Sequence, residues 1–211
     1  MKRIVKDPEE RKKELVDAAE RLFITVGYEQ TAVSDIVGEV NISQGAFYYY
    51  FKSKEDVLVA VLEKNLSEME EDFRQIADRG DLEEAVKLNY MFNRFLSKGI
   101  SRKKILGFIH QSKNANLRSK MAKMRPFSKV APIVAEVISK GIERDRFCVS
   151  HPMETSYLLL MLLGSFQFML DQCEATDGEG FKGHRESLRM ALEEHLTRVL
   201  GVNDYKFFLQ I

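Results

Sequence analysis

Residues 43–58 read SQGAFYYYFKSKEDVL. Tyr48, Tyr49 and Tyr50 stand between Phe47 and Phe51, and Lys52 and Lys54 flank Ser53. A buried helix would need a partner for each phenol, and a solvated helix seldom carries five aromatics in a row. The groove of a nucleic acid accepts such a surface, because tyrosine hydroxyls and helix N-terminal amides both donate to phosphate oxygens. Gln44 has the amide that pairs bidentately with adenine. Gly45 and Ala46 are small enough for close approach to base edges, and Ala46 can touch a thymine methyl. Lys54 can reach a backbone phosphate as a cation, and Thr31 can do so as a hydroxyl.

The elements that must position these groups are helical. Placed at 100° per residue, Phe47 and Phe51 lie on one face, and Tyr49 points almost directly away from it. Gly45 shares the outward side, with Ala46 and Tyr48 beside it. Tyr50 lies on the opposite flank, where either a phosphate or the cleft between helices suits it. Ser43 caps this short helix. Upstream, Asp7-Pro8-Glu9-Glu10 is a helix start, and Leu15, Ala18, Ala19, Leu22, Phe23 and Val26 form one apolar stripe closed by Gly27. A second helix opens at Thr31 with Val33, Ile36, Val37 and Val40 on its inner face, and Asn41 stops it. Ser53 starts a fourth helix, with Asp56 at the capping-box position. Two short helices joined by a tight turn after a longer one outline a helix-turn-helix unit, whose recognition helix reads bases with its N-terminal residues.

The stretch TAVSDIVGEVNISQGAFYYYFKSKEDVL resembles the DNA-binding signature of the TetR family of bacterial transcriptional regulators, and the upstream AAERLFITVGYEQT is similar to that family's first helix and glycine turn. Asn41 stands where the family usually has glycine. The resemblance implies phosphate contacts from Thr31, Ser43, Tyr48, Tyr49 and Lys54, with Tyr50 as a further one. It implies that Gln44, Gly45 and Ala46 face bases. It covers about residues 12–60; beyond them the likeness is one of layout.

The rest of the chain also reads as helices, so the expected class is all-α. A three-helix DNA-binding domain over residues 1–52 precedes a larger helical ligand-binding and dimerisation domain over 53–211. The last two helices, His151 to Gln172 and Gly183 to Leu200, carry two apolar stripes: Leu158, Met161, Leu162, Ser165 and Met169, then Leu188, Ala191, Leu192, Leu196 and Val199. These serve either intramolecular packing or a homodimer interface, and the resemblance implies the latter. Phe92, Phe95, Phe108, His110, Phe127, Tyr157 and Met161 are either plain core or the lining of an effector pocket.

The formal net charge is zero, so bulk charge does not announce a nucleic-acid partner. Residues 1–65 carry ten bases against twelve acids, and affinity for operator DNA must rest on a few placed contacts. Residues 85–135 hold twelve Lys and Arg and no acid. That run is either a solvated face or a source of positive potential favouring an anionic, fatty-acid-like effector. Cys148 and Cys173 form no disulfide framework or metal pair, no signal peptide opens the chain, and the most apolar run is too short to span a membrane, which fits the cytoplasm. Gly178 to Gly183 fits GxGxxG without a strand before it and reads as a loop. The histidines lack metal-ligand spacing and no nucleophile motif occurs, so neither an enzyme nor a cofactor protein is expected. A helical protein-interaction module is the alternative to a DNA-binding regulator.

Overall fold

The computed structural model describes residues 7–97, 117, 119–120, 127–176 and 181–210, and of 168, 171–176 and 181–183 the backbone alone. These residues form helices α1 (Pro8–Thr25), α2 (Val33–Val40), α3 (Gln44–Tyr50), α4 (Lys54–Ala77), α5 (Glu84–Ser97), α6 (Ala131–Glu143), α7 (Pro152–Thr176) and α8 (Phe181–Leu200). The fold is all-α, with no strand among the described residues.

Local chemistry sets the ends of the first helices. The Asp7 carboxylate accepts from the Glu9 amide at 2.8 Å, and Pro8 sits in the first turn, where its missing N–H costs nothing. Gly27, at φ 106°, closes α1. Helix α2 begins two residues later than the sequence suggests. Its start is held by Asp35, whose carboxylate accepts from the Ala32 amide at 2.7 Å. Asn41 ends α2 in the left-handed region, φ 55° and ψ 49°, the conformation for which the related pattern uses glycine. Ser43 Oγ accepts from the Ala46 amide and Ser53 Oγ from the Asp56 amide, each at 3.2 Å, capping α3 and α4.

The chain divides into two compact units, the first holding residues 1–65 and 104–125 and the second the remainder. The division differs from a boundary after residue 52. Val57, Leu58, Val61 and Leu62, on the first turns of α4, are buried in the same core as Leu15, Phe23, Ile36, Phe47 and Leu117. Lys120 also belongs to this unit and donates to the Asp56 carboxylate at 2.6 Å.

The second unit is built on Met69, Phe73, Leu88, Phe92, Val134, Ile138, Leu160, Leu163 and Leu196. Its C-terminal segment folds back as an extended strap, burying Val202, Phe207 and Leu209. The Asn89 and Asn93 side chains bond the strap's backbone: Asn89 Oδ1 accepts from the Phe208 amide at 2.9 Å and Asn93 Oδ1 from the Gln210 amide at 2.6 Å.

Because glycine adopts the left-handed region freely and a β-branched residue does not, Asn41→Gly should leave urea-unfolding stability within about 0.5 kcal/mol, while Asn41→Val should cost about 1–2 kcal/mol. Equal losses for both variants would mean that the αL geometry does not govern this turn.

Candidate nucleic-acid interface

Helix α3 separates its aromatics by direction. Phe47 is fully buried and Phe51 nearly so, and their rings meet at 5.8 Å between centroids. Tyr49 is 78% exposed and Tyr48 56%. Tyr50 is half-buried against the first core, and its ring meets that of Tyr49 edge-on at 4.9 Å. Of its two readings, the structure favours the cleft between helices.

Ser43, Gln44 and Gly45 are exposed and Ala46 half-buried. A Cβ built on Gly45 would meet only Ser43 Oγ, at 3.8 Å. Nothing inside the protein therefore requires glycine at this helical position, where it is a poor helix former. Lys52, exposed between α3 and α4, was not singled out by sequence reasoning. Its position directly after the aromatic run is the signal that marks it.

Thr31 and Lys54 do not lie on this surface as the sequence suggests. Thr31 is 1% exposed, and its hydroxyl donates to Gly27 O at 2.6 Å. The Lys54 ammonium turns inward. It donates to the carbonyls of Tyr28 (2.7 Å), Glu29 (3.3 Å) and Thr31 (2.9 Å) and sits 4.4 Å from the centre of the Tyr28 ring. Burial holds its pKa below the ordinary lysine value. The Lys120 bond to Asp56 holds that carboxyl below its usual range. The stability this contributes is present above the unfolded carboxylate pKa and is lost as pH falls through the lower folded value.

The two stripes of the last helical pair also separate. On α7, Leu158 (66% exposed) and Met161 (56%) face outward with Ser165 and Met169, and Leu162 is half-buried. On α8, Ala191 is exposed, but Leu192 and Leu196 are buried in the second unit's own core, with Leu188 and Val199 packed against it. Leu192 and Leu196 thus lie in the core of their own chain rather than on an open face.

The described members of the expected pocket set lie in different surroundings. Phe92 and Phe95 are core, Phe127 packs at 6.3 Å from Phe95, and Tyr157 and Met161 face outward. Phe108 and His110 lie outside the described residues. A cleft of about 300 Å³ in the second unit is lined instead by residues that include Ile76, Arg79, Leu82, Tyr90, Arg94 and Gln210. Arg79 is paired there with Asp81, and Arg94 with Asp72. No helix among the described residues is long and apolar enough to cross a membrane.

Residues 15–61 match the family model for "Bacterial regulatory proteins, tetR family". Over 53 residues, 25% of this chain and 18% of the relative, the sequence is 45% identical to the HTH-type transcriptional regulator YuxN of Bacillus subtilis. Over 68 residues, 30% of this chain and 35% of the relative, it is 34% identical to the fatty acid metabolism regulator protein of the same organism. The chain thus matches about a fifth to a third of the length of these curated relatives. In fold it is similar to a TetR-family transcriptional regulator from Pectobacterium atrosepticum, with a TM-score of 0.71 at 20% identity over 91% of this chain and 95% of that one. The fatty acid degradation regulator FadR of Bacillus halodurans gives 0.63 at 19% identity over 87% and 95%.

The outward and inward aromatics should respond oppositely to truncation. Tyr49→Ala is expected to change unfolding free energy by less than about 0.5 kcal/mol, and Phe47→Ala to cost about 3–5 kcal/mol. Thermal or urea unfolding of the two variants checks this.

Proposed function

We propose, from the match of residues 15–61 to the model for the tetR family of bacterial regulatory proteins, that the chain is a ligand-responsive transcriptional regulator. It binds a palindromic operator as a homodimer, represses from it, and leaves it when a small, mainly apolar effector binds. The observation that carries the reading is α3 itself: a buried Phe47 behind an exposed face of Gln44, Gly45, Tyr48 and Tyr49.

On this reading Gln44, Gly45 and Ala46 meet base edges, and Ser43, Tyr48, Tyr49 and Lys52 donate to phosphates. The empty space round Gly45 supports it, since a glycine that no internal neighbour demands is accounted for by a close external approach. The outward apolar face of α7 supports a dimer, because an exposed stripe of Leu158, Met161 and Met169 calls for a covering surface. Two-fold symmetry then matches a palindrome.

A fatty-acid-like anion is the first effector to test. The acid-free basic run over 85–135 supports it, as do the names of two relatives in fatty acid regulation. Release follows if the effector prefers a conformation with misplaced recognition helices, a coupling of typically ~1–3 kcal/mol.

Sequencing DNA fragments selected by the purified protein tests the central claim; failure to enrich any palindrome would sink it. On the enriched operator, Gly45→Leu and Tyr49→Ala should each weaken binding about tenfold or more while the protein stays folded. Leu158→Glu combined with Met161→Glu should yield monomers in sedimentation and weaker operator binding. Release by cationic dyes but not by fatty acids or acyl thioesters would rule out the anionic effector.

A further inference from the structure

An ammonium has three N–H donors and no acceptor. The Lys54 ammonium meets three main-chain carbonyls, those of Tyr28, Glu29 and Thr31, at 2.7, 3.3 and 2.9 Å. Its donors are all engaged, and the Tyr28 ring covers a further side at 4.4 Å. The three carbonyls belong to the short loop between Gly27 and α2. The same loop is tightened by Thr31, whose amide and hydroxyl both donate to Gly27 O, at 3.2 and 2.6 Å. One residue after it, the Ala32 amide begins the hold on α2 through Asp35. Lys54 is the first residue of α4, so one side chain ties the start of α4 to the backbone that launches α2.

We propose that Lys54 is a positioning residue: it clasps the loop before α2 and so fixes the helix-turn-helix geometry, without itself contacting DNA phosphate. This rests on the DNA-binding reading above. To reach a phosphate, the ammonium would have to abandon at least one carbonyl in a half-buried setting, leaving that acceptor without its charge-assisted bond. Glu29 of the loop, with Glu55 and Asp35, adds attraction at longer range, but the three bonds to the loop are to backbone oxygens converging on a compact point charge. That geometry is specific to lysine, since the planar guanidinium of arginine spreads its donors in a fork.

The test uses the full-length protein and its selected operator, with affinity measured across a range of salt concentrations. Lys54→Met keeps the apolar stem and removes the charge. It should weaken binding at least about tenfold while leaving the slope of log K against log salt unchanged. Lys54→Arg keeps the charge and should also weaken binding, by several fold. A direct phosphate contact predicts otherwise: the Met variant lowers the slope by about 0.9, and the Arg variant binds like the unaltered protein. Either result overturns the proposal. A Met variant that melts lower but binds as tightly when folded overturns it too, because a merely structural role leaves affinity alone. If Lys54→Met does not fold, Lys54→Arg decides the matter by its affinity. Amide hydrogen exchange provides a DNA-independent arm. The Val33–Ile36 amides should exchange faster in the Arg variant while those of α1 do not; unchanged exchange at α2 counts against the clasp. If the unaltered protein enriches no operator, it is the regulator reading that fails, and exchange still judges the clasp.

Discussion

The packing of Phe47 into the core of the first unit sets the direction of every other side chain on α3. The helix has seven residues, too few to be stable in water on its own. Its existence and its rotation about its axis therefore come from tertiary contact. Phe47 is fully buried beside Ile36, Val37, Leu58 and Val61 in one core, and Phe51 follows one turn later. With that face committed, the 100° step leaves Tyr49 nowhere to go but outward. Tyr48 and Tyr49 stay 56% and 78% exposed, so the outward face is left open because the inward face is committed to the core.

The turns transmit that constraint. Asn41 in the left-handed region brings α3 close behind α2, and Ile42 packs against the core beside it. Gly27, also at positive φ, performs the corresponding reversal after α1. Between them, the loop before α2 is held from outside by a side chain of α4 and from within by Thr31. Short helices contribute little stability of their own, so such backbone ties decide their relative placement. The charge pattern fits this economy of contacts. With ten bases and twelve acids, residues 1–65, which hold the helix-turn-helix, carry no excess of positive charge of their own. For the proposed regulator, a few donors held at the right spacing on these residues then count for more than their bulk charge.

What was legible in the sequence follows from the same physics. Helix period and capping residues revealed the helices, the rotation of α3 and the αL role of Asn41, because each depends on residues close in sequence. The inward placement of Thr31 and Lys54 was not legible, for the opposite reason. A hydroxyl or an ammonium has the same chemistry toward a main-chain carbonyl as toward a phosphate, and residue type alone does not say which oxygen is nearer. The apolar stripes of α7 and α8 posed a similar ambiguity: periodicity tells that a face is covered, but not by what. The C-terminal strap left no periodic signal at all. Val202, Phe207 and Leu209 are buried through long-range packing and the carboxamides of Asn89 and Asn93, a partnership across more than a hundred residues.

Helix α7 brings these lines together. Leu159, Leu160, Leu163, Phe166 and Leu170 are buried in the second unit, yet Met153, Tyr157, Leu158, Met161 and Met169 stand exposed on the same helix. A helix apolar on both faces calls for cover on both, and in the proposed homodimer the second copy would supply the cover for the exposed face. With Leu192 and Leu196 in the internal core, the exposed apolar residues of this helical pair are those of the α7 face together with Met190 and Ala191 on α8. A small residue beside a stripe of methionines and a leucine permits close approach, and methionine adapts to irregular surfaces. Such a face is self-complementary in composition, which is what an isologous contact between two copies requires. For the proposed regulator this is the element that would convert one recognition helix into two, since a palindrome carries no advantage for a protein that meets it one half-site at a time.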